Sequence, residues 1–202
     1  MDVSYILDDL NDAQREAVTS ESKKLLVLAG AGSGKTKVLV HRIAWLIKAL
    51  SNSTHSILSV TFTNKAANEM TGRIESILDQ PIPEMWCGTF HSISNRLLRR
   101  HYKEAGLEKD FNILDSDDQL RIIKRNLKDL DIDEDQWPPE KVRWQINNWK
   151  DEALRPKDVD DKGDFNLETL KRIYTYYESY MQKENLIDFA ELILRSYELV
   201  RD

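Results

Sequence analysis

The sequence has a single cysteine and no long hydrophobic run. Cys87 by itself excludes an internal disulfide and every multi-cysteine metal site, which leaves the role of a small apolar side chain. No apolar stretch approaches the roughly 18 residues that a membrane-spanning helix needs. The first residues, MDVSYILDDLND, are acidic where a secretory signal would be basic. We therefore expect a cytoplasmic protein that does not associate with a membrane.

Net positive charge is also lacking. The 202 residues carry 29 Lys and Arg against 35 Asp and Glu, for a formal net charge of -6. The acidic excess lies in the second half, because residues 1–110 carry 14 basic and 13 acidic side chains whereas residues 111–202 carry 15 and 22. This balance excludes a protein whose whole surface coats nucleic acid.

In residues 1–110, short apolar runs alternate with amphipathic stretches. Strands are predicted at 25–29, 57–62 and 85–90, and the helices that follow them at 35–50, 64–78 and 91–105, the last closed by Gly106. This alternation is typical of an α/β fold with a parallel sheet and helices on both faces. A motif that directly follows a strand is expected at the strand's carboxyl end.

From residue 111 onwards the pattern is helical only. Four helices are predicted, one capped by Asp115 or Ser116, one opened by Pro138-Pro139, one over LETLKRIYTYYESYMQ and one over DFAELILRSYELV. The spacing of Val142, Ile146 and Trp149 predicts a buried stripe, so most tryptophans of this region are assigned to the core. Residues 155–164 are charged and are predicted to form a surface loop.

The segment AGAGSGKT, at residues 29–36, lies between a predicted strand and a predicted helix. Its glycines let the backbone bend so that successive N–H groups converge on phosphate oxygens, and the helix adds its positive end. Lys35 would neutralise the β- and γ-phosphates, and the Thr36 hydroxyl would bind Mg²⁺. The predicted phosphate site comprises Ala29, Gly30, Ala31, Gly32, Ser33, Gly34, Lys35 and Thr36.

An enzyme built on such a loop also needs an acidic residue at the end of another strand to hold the metal ion. The candidates are Asp115 and Asp188. Both precede helix-like sequence, and Asp188 has capping-box spacing with Glu191, so helix capping is the favoured interpretation. The residues therefore predict nucleotide binding without a convincing apparatus for hydrolysis.

Five ordered motifs resemble those of the superfamily-1 DNA helicases typified by UvrD, PcrA and Rep. They are MDVSYILDDLNDAQREAV, LVLAGAGSGKT, SVTFTNKAANEM, CGTFHS and LIDFAEL, and together they extend over the whole chain. The resemblance implies an ATP-dependent 3′–5′ DNA helicase of DNA repair, with two RecA-like domains that each carry a helical insertion. Residues 1–110 would be the first part of the first RecA-like domain, and residues 111–202 an incomplete helical insertion.

The resemblance further implies that this chain contains only half of the ATP site. The family's acidic metal-binding motif and second RecA-like domain would come later, so the chain alone is expected to bind ATP and Mg²⁺ without hydrolysing ATP efficiently. Its expected partners are the C-terminal helicase domains, single-stranded DNA with its duplex junction, and repair proteins. Two alternatives stay open: a small self-sufficient P-loop ATPase or kinase that uses Asp115, and a non-enzymatic interaction module.

The resemblance also assigns contacts to individual residues. Gln14 would read the adenine edge, although its spacing from Asn11 equally fits a capping box. Lys37 would contact the nucleotide where relatives commonly have Arg; it keeps the charge but lacks a planar face. Taken alone, Phe62 would be a core aromatic and Thr63 a helix cap. The implied DNA-binding residues are Phe62, Thr63, Asn64, Lys65, Thr89, Phe90, His91 and Phe189, with Phe62 stacking on a base and Thr63, Asn64 and Lys65 donating to phosphates.

Overall fold

The computed structural model describes residues 3–201. The chain divides into two compact units between Ile93 and Ser94, and each unit is described by itself. The division falls within the helix Phe90–Arg100. Of the helices in the described residues, none combines the length and the apolar character needed to cross a membrane.

The first unit contains a pair of parallel strands and three complete helices. Strand β1 (Leu58–Val60) pairs with β2 (Trp86–Gly88), with Ser59 opposite Cys87. The helices are α1 (Asp12–Thr19), α2 (Lys35–Lys48) and α3 (Asn64–Leu78), and α4 (Phe90–Arg100) begins here. Short 3₁₀ turns occupy Ser4–Ile6 and Thr54–Ser56. The observed bounds of α2 and α3 agree closely with the predicted helices.

Helix α4 is shorter than predicted, because regular α-helix ends at Arg100. Irregular turns continue the chain, with the Ala105 N–H donating to the His101 carbonyl oxygen at 3.0 Å. Gly106 then adopts a φ of 66°, a left-handed conformation that glycine reaches without the steric cost of a side chain. Gly106 therefore ends these irregular turns, whereas the regular helix that it was predicted to close ends earlier, at Arg100.

The main core of the first unit lies between α2, α3 and the loop before β2. Its buried members are Ile6, Val40, Ile43, Ala44, Met70, Ile74, Leu78, Ile82 and Met85. Met70, Ile74 and Leu78 follow one another at intervals of four residues, which places them on one face of α3. Cys87 packs against this cluster as a partly buried side chain, consistent with the apolar role expected for it.

The predicted strand at residues 25–29 is absent. These residues have no regular secondary structure and pair with no strand of the described chain, and Leu26 and Leu28 are 80% and 84% exposed. A strand in a parallel sheet is defined by hydrogen bonds to its neighbours, and in residues 3–201 the only ladders are β1–β2 and one in the second unit. The sheet of the first unit is therefore much smaller than the RecA-like sheet that was expected.

The second unit contains the four predicted helices. They are α5 (Ser116–Asp129), α6 (Pro139–Asp151), α7 (Phe165–Lys183) and α8 (Phe189–Arg201), with a 3₁₀ turn at Pro156–Asp158. The prediction of helix only was wrong, because β3 (Asn112–Ile113) pairs in parallel with β4 (Leu186–Ile187). Two-residue strands leave no alternating pattern in the sequence, so only the tertiary contact reveals them.

The core of the second unit confirms the predicted stripe on α6. Val142, Ile146 and Trp149 are all buried, and the Trp149 ring stacks on Tyr174 with centroids 5.7 Å apart. Trp144 lies on the opposite side of the helix and is 66% exposed. Trp137 is partly buried and packs against the same core, so the assignment of most of these tryptophans to the core holds, with Trp144 as the exception.

Candidate functional site

The glycine-rich loop leads directly into α2. Gly34 is the residue before the helix and has a φ of 87°, and Gly32 has a φ of 75°. Both conformations are left-handed, which side chains disfavour. The first N–H groups of α2 have no acceptor within the helix, and the helix dipole makes this end of the helix positive. An anion bound at this loop would be stabilised by both.

Lys35 places its positive charge inside the loop. Its Nζ donates hydrogen bonds to the carbonyl oxygens of Ala29 at 2.9 Å and Gly30 at 2.6 Å. The Ser33 hydroxyl also donates to the Gly30 oxygen, at 2.7 Å. Ala31 and Thr36 are exposed, Thr36 as the second residue of α2. Lys35 and Ser33 therefore both bond to the start of the loop, at Ala29 and Gly30.

Gln14 connects α1 to this loop. Asn11 and Gln14 form the capping box that their spacing predicts: the Asn11 side chain accepts from the Gln14 N–H at 2.9 Å, and the Gln14 side chain accepts from the Asn11 N–H at 3.2 Å. The Gln14 Nε2 also donates to the Ser33 carbonyl oxygen at 3.1 Å. One side chain thus caps a helix and contacts the loop, while its contact with adenine stays a prediction.

Lys37 lies in the first turn of α2 and bonds to the N-terminal segment. Its Nζ donates to the Asp9 carbonyl oxygen at 2.5 Å. This bond keeps the ammonium near the start of the chain rather than free to sample the solvent. The predicted contact of Lys37 with a nucleotide would have to replace or share it.

The segments TFTNK and GTFH leave the same edge of the small sheet. β1 and β2 are parallel, and the Thr61 N–H continues their pairing by donating to the Gly88 carbonyl oxygen at 2.9 Å. Phe62 is 99% exposed, so the interpretation as a core aromatic was wrong. Phe90, at the corresponding place after β2, is 66% exposed. Two aromatic rings therefore reach solvent from one sheet edge.

The polar residues of these segments begin the next helices. The Thr63 side chain accepts from the Ala66 N–H at 3.1 Å and caps α3, as its position predicts, and Asn64 and Lys65 are exposed in the first turn. The Thr89 hydroxyl accepts from the Ser92 N–H at 3.2 Å at the start of α4. His91 is exposed beside it. The edge thus combines two aromatic rings with two helix amino termini.

The two candidate metal ligands of the sequence are both helix caps. Asp115 accepts hydrogen bonds from the N–H groups of Asp117 at 2.9 Å and Asp118 at 2.8 Å. Asp188 accepts from the Glu191 N–H at 2.7 Å. In residues 3–201, no group of three or more His, Cys, Asp or Glu side chains is arranged to hold a metal ion. The favoured interpretation of both residues as caps is confirmed.

Comparison with known proteins decides the family. Residues 10–202 match the model of the UvrD/REP helicase N-terminal domain. The chain belongs to this family. It is 53% identical over 199 residues to DNA helicase II of Escherichia coli and, to the same extent, to DNA helicase II of Salmonella typhimurium. It is 39% identical over 197 residues to the ATP-dependent DNA helicase PcrA of Bacillus subtilis.

The matches cover nearly all of this chain but little of the relatives. The alignments with the two DNA helicases II include 98% of the chain and 28% of each relative, and the alignment with PcrA includes 97% and 27%. This UvrD/REP domain therefore spans just over a quarter of the length of the curated relatives that it matches.

The second unit of the UvrD/REP domain holds a buried ion network that sequence reasoning missed. The Lys150 side chain is 1% exposed, and its Nζ lies 2.8 Å from carboxylate oxygens of Glu178, Asp188 and Glu191. Arg155 continues the network, with ion pairs to Glu178 at 2.6 Å and Glu191 at 2.9 Å. Arg155 also pairs with Glu198 at 2.6 Å, and Arg195 pairs with Glu191 at 2.5 Å.

Only one part of this network has a local signal, the spacing of four residues between Glu191 and Arg195 on α8. Lys150 and Asp188 are 38 residues apart, so their contact depends on the fold.

Contrary to the prediction, residues 155–164 are not a surface loop throughout. Arg155 is largely buried in the network and Val159 is buried in the core.

Burial and the neighbouring charges shift the pKa values of Lys150 and Glu191 in opposite directions. Burial opposes the charged ammonium of Lys150, but Asp188, Glu191 and Glu178 together raise its pKa well above the usual lysine value. Burial alone would raise the pKa of Glu191, and the charges of Lys150, Arg155 and Arg195 instead lower it far below the usual range. Both groups are therefore ionised at neutral pH. The network includes Asp188, which immediately precedes Phe189, the 48%-exposed first residue of α8.

Proposed function

We propose that this chain is the N-terminal, ATP-binding portion of an ATP-dependent 3′–5′ DNA helicase of DNA repair. On this proposal it binds ATP with Mg²⁺ and contributes part of the track for single-stranded DNA. The observation that carries the proposal is the glycine-rich loop, in which two left-handed glycines lead into α2 and Lys35 lies within the turn. Family membership and the names of the relatives support the helicase context.

The hydrogen-bond donors of the glycine-rich loop suit the phosphates of a nucleotide. Backbone N–H groups of residues 29–36 and the Lys35 ammonium would bind the phosphates, and the Thr36 hydroxyl oxygen is a ligand of the type Mg²⁺ prefers. Gln14, already against Ser33, would contact the adenine, with Lys37 beside it. ATP with Mg²⁺ would supply the free energy for movement along DNA. The Lys35 bonds to Ala29 and Gly30 would be exchanged for bonds to phosphate.

The sheet edge suits single-stranded DNA. Phe62 and Phe90 offer exposed faces on which bases can stack. Thr63, Asn64, Lys65, Thr89 and His91 are polar groups at helix amino termini, where phosphates are favoured. Phe189 would add a further stacking face from the second unit. No positively charged surface over the whole protein is needed, in agreement with the net charge of -6.

The remaining assignments extend this proposal to the parent protein. Residues 1–110 would be the first part of a RecA-like domain and residues 111–202 an incomplete helical insertion. The partners would be the C-terminal helicase domains, single-stranded DNA at a duplex junction and repair proteins, in the cytoplasm and away from membranes. Because Asp115 and Asp188 are helix caps, efficient hydrolysis by the chain alone is not expected.

Nucleotide binding and hydrolysis separate this proposal from its alternatives. Calorimetric titration with a non-hydrolysable ATP analogue and Mg²⁺ should show binding that Lys35→Ala abolishes, whereas steady-state phosphate release should stay near background in both proteins. Robust turnover that depends on Lys35 would favour the self-sufficient ATPase or kinase. Absence of binding at millimolar analogue would favour the non-enzymatic interaction module.

DNA binding is tested at the sheet edge. At low salt, Phe62→Ala should weaken the binding of a labelled oligothymidine about 5- to 150-fold, because stacking on one aromatic ring is worth roughly 1 to 3 kcal/mol. Phe165→Ala is the matched control, since Phe165 is 75% exposed on the second unit and outside the proposed track. Equal affinities of the parent and the Phe62→Ala variant, measured by fluorescence anisotropy, would remove the DNA assignment.

A further inference from the structure

The carboxylate of Asp188 is the meeting point of four helices. Its Oδ2 accepts from Lys150 of α6 and from the Tyr177 hydroxyl of α7, each at 2.8 Å, and from the Gln119 Nε2 of α5 at 3.3 Å. Its Oδ1 accepts from the Glu191 N–H of α8 at 2.7 Å. Both carboxylate oxygens of Asp188 thus accept hydrogen bonds, and the side chain is almost completely buried.

The chain on both sides of Phe189 is held in place by these contacts. On one side, the Ile187 carbonyl oxygen accepts from the Leu114 N–H at 2.8 Å, which completes the pairing of β3 with β4. On the other side, the cap from Asp188 to Glu191 fixes the first turn of α8. Between them, Phe189 is 48% exposed although its neighbours Asp188 and Glu191 are buried.

Capping of α8 alone does not explain why Asp188 is buried in a network of charged side chains. An exposed Ser, Thr, Asp or Asn suffices to cap a helix, as Asp115 does for α5. Burying Lys150 with three carboxylates brings a large desolvation penalty, which ion pairs offset only when their geometry is good. Replacing a buried ion network with apolar residues is often neutral or stabilising, so a gain in stability does not explain this network well. That it fixes the geometry of the chain around it explains its presence better.

We propose that Asp188, held by Lys150 and Tyr177, is a positioning residue that fixes Phe189 in the orientation needed to stack on single-stranded DNA. This inference rests on the proposed DNA-binding function. The network acts through the backbone of residues 187–191 and does not itself touch DNA. Its effect on DNA affinity should therefore exist only while the Phe189 ring is present.

A double-mutant cycle tests this dependence. Lys150→Met removes the central cation at similar length, and Tyr177→Phe removes only the hydroxyl bonded to Asp188. Each should weaken oligothymidine binding about three- to tenfold, less than the complete loss of one stacked base. In a Phe189→Ala background the same substitutions should have no effect, because contacts that act through one residue are not additive with its removal.

Matched controls are available on the same helix. Tyr174→Phe removes the hydroxyl of an equally buried tyrosine, which donates to the Leu154 carbonyl oxygen at 3.1 Å instead of to Asp188. Lys171→Met removes a lysine that contacts Val159 and Asp161. Both controls should leave DNA affinity unchanged. Tyr177→Phe keeps the test valid if Lys150→Met fails to fold, which thermal unfolding will show.

A second measurement does not depend on DNA. The chain has five phenylalanines, so fluorine NMR of the fluorophenylalanine-labelled protein can resolve Phe189, assigned by its loss in Phe189→Leu. Its resonance should shift or broaden in Lys150→Met and Tyr177→Phe and stay in place in Tyr174→Phe. An unmoved resonance in both network variants would overturn the positioning role.

The two measurements separate the failure of this inference from that of the proposed function. If Phe189→Ala binds DNA as well as the parent does, then Phe189 is not part of the track and the proposed function loses that contact. The fluorine spectra would still decide whether the network orients the ring. If Lys150→Met weakens DNA binding equally with and without Phe189, the network acts by another route and the inference is wrong.

Discussion

The Nε2 of Gln14 donates a hydrogen bond to the carbonyl oxygen of Ser33 at 3.1 Å. This bond joins a helix of the N-terminal segment to the glycine-rich loop, and the capping box with Asn11 holds the donor in place. A Cβ at Gly34 would lie 2.9 Å from the same Nε2, so the end of the Gln14 side chain would have to shift to make space for it. The shape of the loop and the position of Gln14 are thus set together.

Gly34→Ala should therefore destabilise the chain. The backbone φ of 87° at Gly34 imposes about 1 to 2 kcal/mol on an L-residue. Gly30→Ala is the control, because Gly30 has no positive φ and a Cβ there meets nothing within 4 Å. Urea unfolding should show a loss for Gly34→Ala alone, and equal losses in the two variants would contradict the loop geometry.

Asp115 should behave as a helix cap in mutagenesis. Asp115→Ala should lower the free energy of unfolding by about 1 kcal/mol, since it removes the acceptor for two N–H groups, whereas Asp115→Ser should retain most of the stability. Asp117→Ala, at an exposed first-turn position, should cost less. Chemical denaturation with and without Mg²⁺ checks this, and a stabilisation by Mg²⁺ that Asp115→Ser removes would instead indicate a metal ligand.

Acid should unfold the second unit through Glu191. Its pKa is lowered on folding from a usual value of 4.5, so the stability it contributes is present above pH 4.5 and is lost as the pH falls further. Between pH 4.5 and pH 3 the loss should be on the order of 2 kcal/mol. Glu191→Gln should flatten this part of the stability profile, measured by denaturant titration at each pH. An unchanged slope would contradict the ion network.

Leu26 and Leu28 should be replaceable without loss of stability. Both are more than three-quarters exposed, so Leu26→Lys with Leu28→Lys should change the free energy of unfolding by less than about 0.5 kcal/mol. Ile74→Ala, at a fully buried position, should cost about 2 to 5 kcal/mol. Because the lysines remove exposed apolar side chains, any self-association in analytical ultracentrifugation should decrease. A large destabilisation by the lysines would show that this segment is packed.

Local features of the fold could be predicted from short stretches of sequence. The caps at Asn11, Thr63, Asp115 and Asp188 each depend on a side chain and an N–H group three residues away or fewer. The bounds of α2 and α3 follow from apolar spacing over one helix, and the glycine-rich loop is recognised from eight consecutive residues. These features need no knowledge of distant contacts.

Which apolar and charged groups become buried could not be predicted in the same way. Leu26 and Leu28 have the sequence of a buried strand, yet they are exposed because no strand of the described chain pairs with them. Phe62 and Trp144, both large and apolar, also face solvent. In each case hydrophobicity favours burial, but the neighbouring elements decide whether a partner surface exists.

The sequence by itself determined most of the helices, several of their caps, the glycine-rich loop and the family of this chain. Only the tertiary structure decided that Lys150 meets Asp188 across 38 residues and that Gln14 reaches Ser33 across 19 residues. The physical reason is the range of the interactions. Caps and helical faces arise from neighbours in the chain, whereas buried ion pairs and strand pairing depend on which distant segments the fold brings together.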